Sequence, residues 1–196
     1  MTAEEIRGLL NGYVAQDLGD ELLDKLRDYL ELLLKWNAKT NLTAVRDPEQ
    51  IMRRHFGESL VAAEWLRSSF DLTGRELYDL GSGAGFPGAP IALWCPELKV
   101  TLIESQGKKA AFLREVVRTL NLSNCDVFAG RAEEVSARAN FVTMRAVERS
   151  GSMRSVAERL LVPRGTLVAM LGANQNFEGA VTEIAGGVRI GVSVMK

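Results

Sequence analysis

Apolar side chains recur at helical spacing through the first 70 residues. Thr2-Ala-Glu-Glu5 is a capping box, which predicts that a short amphipathic helix begins there. A second helix over residues 20–36 is predicted by seven leucines: Leu18, Leu22, Leu23, Leu26, Leu30, Leu33 and Leu34. The turn-forming asparagines of Asn37–Val45 end that helix. Asp47-Pro-Glu-Gln50 supplies an N-cap, a proline for the first position and a second capping box, so a third helix should run to about Arg67.

From Arg75 onward, short apolar and β-branched runs alternate with helical stretches. The candidate strands are Glu76–Leu80, Lys99–Ile103, Cys125–Phe128, Phe141–Met144 and Thr166–Leu171. The helical stretches between them lie near residues 88–94, 106–119, 132–138 and 149–161. This alternation predicts an α/β fold with three layers, in which a doubly wound, mostly parallel, Rossmann-like sheet has helices on both faces.

The same pattern divides the chain into a helical extension, residues 1–70, and one compact core, residues 71–196. In the C-terminal part of that core we expect Phe177–Ala185 to form a helix and Val188–Val194 a single strand. Ligands of such sheets bind beyond the carboxyl ends of the strands, so functional residues should follow each strand directly.

Glycines crowd the turn after the first strand, in the sequence Gly81-Ser-Gly-Ala-Gly-Phe-Pro-Gly88. Glycine allows a positive φ and a close approach of backbone to ligand, and the following helix offers free N–H groups. Read from Gly83, the string matches the dinucleotide fingerprint, with Glu104 placed to bind a ribose. Read from Gly81, it matches the Gly-x-Gly of methyltransferases, and a tight turn with no ligand is the third interpretation.

Charge favours the methyltransferase interpretation. Asp79 stands two residues before the first glycine, at the mouth of the loop, where a pyrophosphate would face a carboxylate at a cost of about 1–4 kcal/mol. S-adenosylmethionine instead carries an ammonium and a sulfonium, for which a carboxylate is favourable. Glu104 closes the second strand and can accept hydrogen bonds from both ribose hydroxyls. We therefore predict that S-adenosylmethionine is the cofactor.

The ends of the third and fourth strands carry further candidates. Ala132 follows the third strand, where its backbone could read the adenine edge or simply begin a helix. Arg145 ends the fourth strand, a place where an unpaired cation is costly, so it should contact the cofactor carboxylate, a phosphate or an internal acid. Methyltransferases that act on exocyclic amino groups commonly carry Asp/Asn-Pro-Pro-Tyr at this place, and this chain does not. Those that act on pyrimidine C5 need a thiolate nucleophile, and neither Cys95 nor Cys125 has that setting.

Those absences favour methyl transfer to an atom with a free lone pair, such as a ring nitrogen of guanine. Such a reaction needs alignment and exclusion of water but no general base, so we assign no catalytic residue. His55 is the only histidine, and it could be a packed side chain, an RNA contact or a group near the target base.

Composition and charge narrow the classes of function. With 46% apolar and 25% charged residues, a net charge of −1 and two cysteines, the chain should be a globular protein of a reducing cytoplasm, with no metal site, no secretory signal and no membrane span. Residues 1–34 carry three basic and eight acidic side chains, whereas residues 105–164 carry eleven basic and six acidic ones. The basic region could face phosphate, or its arginines could be solvated helix surfaces.

Three segments in order resemble the GidB/RsmG family: Lys35-Trp-Asn-Ala-Lys-Thr-Asn-Leu-Thr43, then Arg54-His55, then Asp79-Leu-Gly-Ser-Gly-Ala-Gly-Phe-Pro-Gly88. Glu104-Ser-Gln-Gly-Lys-Lys109, Arg131-Ala-Glu-Glu134 and Arg145-Ala146 continue the match. The resemblance covers residues 20–172 and implies a methyltransferase acting on guanine N7 in 16S ribosomal RNA, with either the RNA or the small ribosomal subunit as its partner. We further expect a monomer.

The resemblance also implies a set of site residues. The cofactor contacts that it implies are Gly81, Phe86, Glu104, Ser105, Gln106, Ala132, Glu133 and Arg145. To these we add Asp79 and Gly83 from the charge and the glycine pattern of the loop. The candidates for RNA binding are Arg53, Arg54, His55, Lys108 and Lys109. The chain departs from the family pattern at Asn140, where the family usually has aspartate, and at Met144, where it usually has a small residue.

Two alternatives remain at this stage. The chain could methylate a small molecule or a protein, or it could be a non-catalytic nucleotide-binding module. Methyl transfer to ribosomal RNA separates these possibilities.

Overall fold

The computed structural model describes residues 1–145, 151–172 and 175–195. Its first part is helical and comprises α1 (Ala3–Leu10), α2 (Gly19–Thr40), α3 (Pro48–Ile51), a π-helical segment (Met52–Gly57) and α4 (Glu58–Ser69). Both predicted N-caps are present. The Thr2 hydroxyl accepts the Glu5 N–H at 3.2 Å while the Glu5 carboxylate accepts the Thr2 N–H at 2.7 Å. The Asp47 carboxylate accepts the Gln50 N–H at 2.8 Å.

Helix α2 does not break at Asn37, as the sequence predicted, but continues to Thr40 and turns at Asn41, whose φ is 47°. Asn37 is buried inside the helix, and its amide holds the segment that follows. Its Nδ2 donates to the Thr43 carbonyl at 3.0 Å, and its Oδ1 accepts the Thr43 N–H at 3.0 Å. The asparagine therefore fixes the path of the loop rather than ending the helix.

The third predicted helix is interrupted by a π-helical turn. Residues Pro48–Ser69 are helical throughout, but Met52–Gly57 adopt the wider i→i+5 pattern between α3 and α4. A side chain at Gly57 could not be accommodated, because a Cβ there would lie 2.8 Å from the Tyr13 ring. The apolar spacing of this region fits an uninterrupted helix equally well, so the sequence pattern did not reveal the turn.

The second part of the chain alternates strands with helices. Its elements are β1 (Glu76–Leu80), α5 (Gly88–Trp94), β2 (Lys99–Glu104), α6 (Gly107–Thr119), β3 (Cys125–Ala129), β4 (Ala139–Arg145), α7 (Gly151–Arg159), β5 (Leu161–Leu171), β6 (Ala180–Ile184) and β7 (Val188–Val194). The strand order is β3-β2-β1-β4-β5-β7-β6, with β1 to β5 parallel and the last two antiparallel. The predicted α/β, mostly parallel fold is confirmed.

Strand β1 lies at the topological switch point, because its neighbours β2 and β4 continue the sheet in opposite directions. The register pairs Asp79 with Leu102 on one side and with Thr143 on the other. Ligands of doubly wound sheets bind beyond the carboxyl ends of the strands at this point. The glycine loop after β1 therefore stands where the sequence placed it.

Of two helices predicted in this part of the chain, one is reduced to a single turn and the other is observed. Of residues 132–138, only Ala132–Glu134 are helical, as one 3₁₀ turn. Arg159 accounts for this, since its guanidinium donates to the carbonyls of Ala132 and Val135, both at 3.0 Å, and so takes the place of further helical hydrogen bonds. The helix predicted near 149–161 is observed as α7, and residues 149–150 lie outside the described part of the chain.

The prediction of a C-terminal helix over Phe177–Ala185 was wrong. Residues Ala180–Ile184 form β6, which pairs with β7, so the sheet keeps its closing antiparallel pair. The ring of Phe177 lies directly over Gly191 of β7, where any Cβ would overlap it. This long-range contact fixes Phe177 against the sheet and favours an extended chain after it.

The sheet separates two apolar layers. One layer joins α1, α2, α4, α5 and α6 to one face of the sheet, and the other packs α7 on the opposite face. Leu77 belongs to the first layer, whereas Tyr78 and Leu80 belong to the second, as expected for alternating residues of a strand. The N-terminal helices thus share one continuous core with the sheet, and the domain boundary at residue 70 remains a prediction.

Cys95 and Cys125 are buried as free thiols, and burial raises the pKa of each to about 12, in keeping with the packing role predicted for them. Among the helices of the described ranges, none has the length and apolar character needed to cross a membrane.

Candidate active site

The glycine loop turns sharply between β1 and α5. The N–H groups of Gly81 and Ser82 both donate to the Ile103 carbonyl of β2, at 2.9 and 3.1 Å. Two glycines here are required by space. A Cβ at Gly85 would overlap the Tyr29 hydroxyl, and a Cβ at Gly88 would lie 2.7 Å from Cβ of Asp79. The backbone of the loop is therefore held tightly against its neighbours, which a ligand-binding turn needs in order to be preformed.

Glu104 joins the end of β2 to this loop. Its side chain is buried, with 5% exposed, and each carboxylate oxygen accepts one backbone N–H. Oε2 accepts from Gly83 at 2.9 Å, and Oε1 accepts from Gln106 at 2.8 Å. Since a carboxylate oxygen has two lone pairs, both oxygens retain acceptor capacity toward a ligand. The predicted pairing of glycine loop and acid is thus present as direct contacts.

Asp79 does not stand at the mouth of the loop, as the sequence-based argument assumed. Its side chain is 1% exposed and lies beneath the loop, because residue 79 shares the β1 face that carries Leu77 and packs into the core. Oδ1 accepts the Thr143 hydroxyl at 2.8 Å, and Oδ2 accepts the Gly88 N–H at 3.3 Å. Burial raises the pKa of Asp79 to about 6 despite these hydrogen bonds. The carboxyl group therefore ties β1, β4 and the start of α5 together.

An aromatic cluster covers the tip of the loop. Phe86 stacks on Tyr29 of α2 with centroids 5.4 Å apart, and it meets Phe56 edge-on at 5.0 Å. The Tyr29 hydroxyl donates to the Ala84 carbonyl at 2.6 Å in a fully buried setting. Helix α2 thereby holds the backbone of the glycine loop directly.

His55 lies on the π-helical segment and continues this cluster. Its ring centroid is 5.1 Å from that of Phe86, and its Nε2 is 2.8 Å from the Thr43 hydroxyl. Burial lowers the pKa of His55 to about 4, with further contributions from the Arg145 and Arg54 charges. The imidazole is therefore neutral at physiological pH and is a weak base.

Arg145 makes the internal contact that the sequence left open among three possibilities. Its Nη2 pairs with the Glu58 carboxylate and donates to the Arg54 carbonyl at 2.8 Å. Burial raises the pKa of Glu58 and lowers that of Arg145. Its Nη1 is buried and has no hydrogen-bond partner within the described ranges. A cofactor contact for Arg145 stays a prediction.

The remaining predicted residues are distributed along the carboxyl edge of the sheet. Ser105 and Gln106 are exposed directly after β2, and Lys108 and Lys109 follow in the first turn of α6. Ala132 and Glu133 lie on the 3₁₀ turn after β3. The predicted RNA contacts thus fall in two groups, with the lysines after β2 and Arg53, Arg54 and His55 on the π-helical segment.

Arg53 differs from its neighbours, because its Nη1 donates to the Leu9 carbonyl of α1 at 3.3 Å. Its side chain is thereby directed toward the N-terminal helix.

Four residues of the site escaped the sequence analysis: Tyr29, Thr43, Glu58 and Thr143. Only Thr143 carried a signal, as a polar residue inside an apolar strand. Tyr29 is indistinguishable from a core aromatic, and Glu58 from an exposed helical acid, until the fold brings their partners near.

Comparison with known proteins identifies the family of the chain. A model of the GidB family, described as rRNA small subunit methyltransferase G, matches residues 22–188. The chain is 41% identical over 185 residues to the ribosomal RNA small subunit methyltransferase G of Xanthomonas campestris pv. campestris (strain 8004), covering 93% of this chain and 84% of that protein. It is 46% identical over 155 residues to the protein of the same name from Xylella fastidiosa (strain 9a5c), covering 78% and 70%.

Solved structures share the fold. A SAM dependent methyltransferase from Aquifex aeolicus superposes with a TM-score of 0.56 at 18% identity, covering 79% of this chain and 96% of that one. Magnesium protoporphyrin IX methyltransferase from Synechocystis PCC 6803 superposes with a TM-score of 0.63 at 13% identity, covering 86% and 98%. At these identities the likeness concerns the fold alone.

Replacing Tyr29 with phenylalanine should lower the free energy of unfolding by about 1–2 kcal/mol, because the buried Ala84 carbonyl loses its partner. Tyr13→Phe is the matched control, since no hydrogen bond of the Tyr13 hydroxyl is found in the described part of the chain. Denaturant unfolding compares the two. Equal midpoints and slopes for both variants would show that the Tyr29–Ala84 contact contributes nothing.

The raised pKa of Asp79 predicts a pH-dependent stability difference. The folded value of about 6 exceeds the ordinary 3.8, so the contribution of this carboxyl is complete below pH 3.8 and is lost as pH rises through 6. As the pH rises from 4 to 7, the free energy of unfolding of Asp79→Asn should therefore increase by about 2 kcal/mol relative to that of the natural chain. The exposed Asp126→Asn serves as control in the same denaturant titrations, and indistinguishable pH profiles would contradict the raised pKa.

Proposed function

Because the chain belongs to the GidB family, described as rRNA small subunit methyltransferase G, we propose that it transfers a methyl group from S-adenosylmethionine to N7 of a guanine in 16S ribosomal RNA. The observation that carries this proposal is the contact between Glu104 and the glycine loop at the switch point of the sheet. It supplies a preformed site for an adenosyl ligand in a chain of this family.

The residues of the site fit S-adenosylmethionine. The acceptor capacity left on the Glu104 carboxylate suits the two ribose hydroxyls. Gly81, Gly83 and Gly85 all have a positive φ, which lets the backbone of the turn approach a ligand closely. Ser105 and Gln106 would line the same edge, and Ala132 and Glu133 would face the adenine. When bound, this cofactor supplies a methyl group activated by its sulfonium.

The position of Asp79 bears on the dinucleotide alternative. With a pKa of about 6, this carboxyl is mostly ionised at neutral pH, and it lies directly beneath the loop that a pyrophosphate would occupy. A buried negative charge there disfavours a dianionic ligand and favours a cationic one. The Asp79 carboxylate would thus act on the ligand from below the loop rather than from its mouth.

The proposed reaction requires little proton chemistry from the protein. Guanine N7 has a free lone pair, so no group must remove a proton before attack. His55 agrees with this requirement, because its low pKa leaves it a neutral and weakly basic ring beside Phe86. What the chain must provide is alignment of the acceptor with the methyl group and exclusion of water, for which a rigid aromatic cluster is suited.

The RNA is proposed to contact the carboxyl edge of the sheet through two basic groups. Lys108 and Lys109 stand on the β2 side of the loop, and Arg54 stands on the β4 side. Phosphate contacts of this kind position a substrate without reading its sequence. We further propose that the protein acts in the cytoplasm as a monomer, on 16S RNA or on the small ribosomal subunit.

Methyl transfer itself is the most direct test. Radiolabelled S-adenosylmethionine should label 16S RNA, offered either naked or within small subunits, and chemical cleavage at 7-methylguanine should map the label to one position. Failure to label every form of RNA, with S-adenosylhomocysteine binding intact in calorimetry, would favour a non-catalytic nucleotide-binding module. Labelling of small molecules or protein instead would favour the second alternative.

Glu104→Gln should weaken binding of S-adenosylhomocysteine about 10- to 100-fold. The amide keeps one acceptor oxygen, but its NH₂ group opposes a backbone N–H of Gly83 or Gln106. Glu97→Gln, an exposed change near the opposite end of β2, is the matched control in the calorimetric titration. If both variants bind as the natural chain does, Glu104 is not a cofactor ligand.

A further inference from the structure

A cavity of about 430 Å³ opens beyond β4 and β5, next to the proposed cofactor site. Its wall is formed by Arg54 and Glu58 from the N-terminal helices, Arg145 from β4, and residues 170–172, 175 and 186–189 from the C-terminal part of the chain. Strand β7 runs antiparallel to β5, and Arg189 pairs with Leu171, so the beginning of β7 reaches the same edge. We call this the arginine cavity.

Charge in the arginine cavity is concentrated in guanidinium groups. Arg54, Arg145 and Arg189 line it, and among the described residues of the wall the one carboxylate is that of Glu58, which pairs with Arg145. Arg189 stands opposite Glu183 in the strand register and donates to the Gly172 carbonyl at 2.8 Å. The Arg54 guanidinium makes no hydrogen bond or ion pair with a described residue. Within the described part of the wall, three guanidinium groups therefore stand against one carboxylate, which favours an anionic ligand.

Arg145 gives this cavity its specific geometry. Glu58 and the Arg54 carbonyl fix one edge of its guanidinium through Nη2, while Nη1 is buried and lacks a partner among the described residues. A buried donor without a partner destabilises the fold, and a bound acceptor would remove that cost. Arginine forks match phosphate oxygens in two-point contacts. A phosphate oxygen is thus the kind of acceptor that would suit Nη1 of Arg145.

The cavity lies beside the residues that pack on the glycine loop. Arg54 and His55 are consecutive on the π-helical segment, and Arg54 lines the cavity while the His55 ring packs on Phe86 of the glycine loop. An RNA strand that places a guanine beside the loop would therefore pass a neighbouring phosphate over the cavity.

We propose that the arginine cavity binds a phosphate of the RNA strand, at or next to the methylated nucleotide, through Arg54, Arg145 and Arg189. This inference rests on the proposed function, and it assigns Arg145 to the acceptor side of the site rather than to the cofactor. A free nucleotide carries the same chemical group, so the test includes it as a separate arm.

The test compares Arg54→Gln and Arg189→Gln with Arg118→Gln. Arg118 is exposed near the end of α6, toward the amino ends of the parallel strands and away from the cavity. Fluorescence anisotropy with a 16S RNA fragment should show about tenfold weaker binding for the first two variants, and a salt slope reduced by about one, relative to the control. Binding of S-adenosylhomocysteine should be unchanged in all three. Inorganic phosphate and AMP, added as competitors, should displace RNA from the natural chain more readily than from Arg54→Gln.

The outcomes separate the two proposals. If the natural chain methylates 16S RNA but both cavity variants bind it as Arg118→Gln does, the cavity is not a site for an RNA phosphate and only this inference falls. If the natural chain neither binds nor methylates RNA, the proposed function falls and this inference with it. If both substitutions weaken the binding of AMP or phosphate in calorimetry but leave RNA binding unchanged, the cavity binds a free nucleotide or phosphate, which also overturns the RNA contact.

Discussion

The buried carboxyl group of Asp79 is the contact on which the site geometry depends. It lies on a core-facing position of β1, receives the Thr143 hydroxyl of β4 and the Gly88 N–H of α5, and sits below the loop that these elements support. A buried carboxylate is costly unless it is hydrogen-bonded, so these contacts constrain β1, β4 and α5 to one relative position. The absence of a side chain at Gly88 is a condition of that arrangement, since a Cβ there would meet Asp79.

The helical extension supports the same loop from the other side. Tyr29 donates to the Ala84 carbonyl and stacks on Phe86, and the π-helical turn places His55 against the Phe86 ring. These contacts join α2 and the π-helical segment to the loop through one apolar core rather than through a separate interface. A change in the extension should therefore reach the cofactor loop through packing, without any direct contact with a ligand.

The sequence predicted the elements whose signals are local and missed those decided by distant partners. Glu76–Leu80 and Gly88–Trp94 were predicted with their observed bounds, because an apolar run, glycines and an apolar helix follow each other without ambiguity. The 3₁₀ turn at Ala132 depends on Arg159, and strand β6 depends on Phe177 covering Gly191. In the site, Asp79 and Glu104 were found from their order along the chain. Glu58 was not, since its partner Arg145 is 87 residues away.

The site divides its charges between two sides of the switch point. Asp79 and Glu104 lie on the side of the glycine loop, and Arg54 and Arg145 lie beyond β4. In the proposed reaction, methylation at guanine N7 would move a positive charge from the sulfonium to the base, and the proposed RNA contact would place that base on the side of the arginines. Arginines alone would oppose that transfer, whereas arginines neutralised by a phosphate would not. The proposed RNA phosphate would therefore make a basic acceptor side compatible with methyl transfer, so that RNA binding and methyl transfer would depend on the same guanidinium groups.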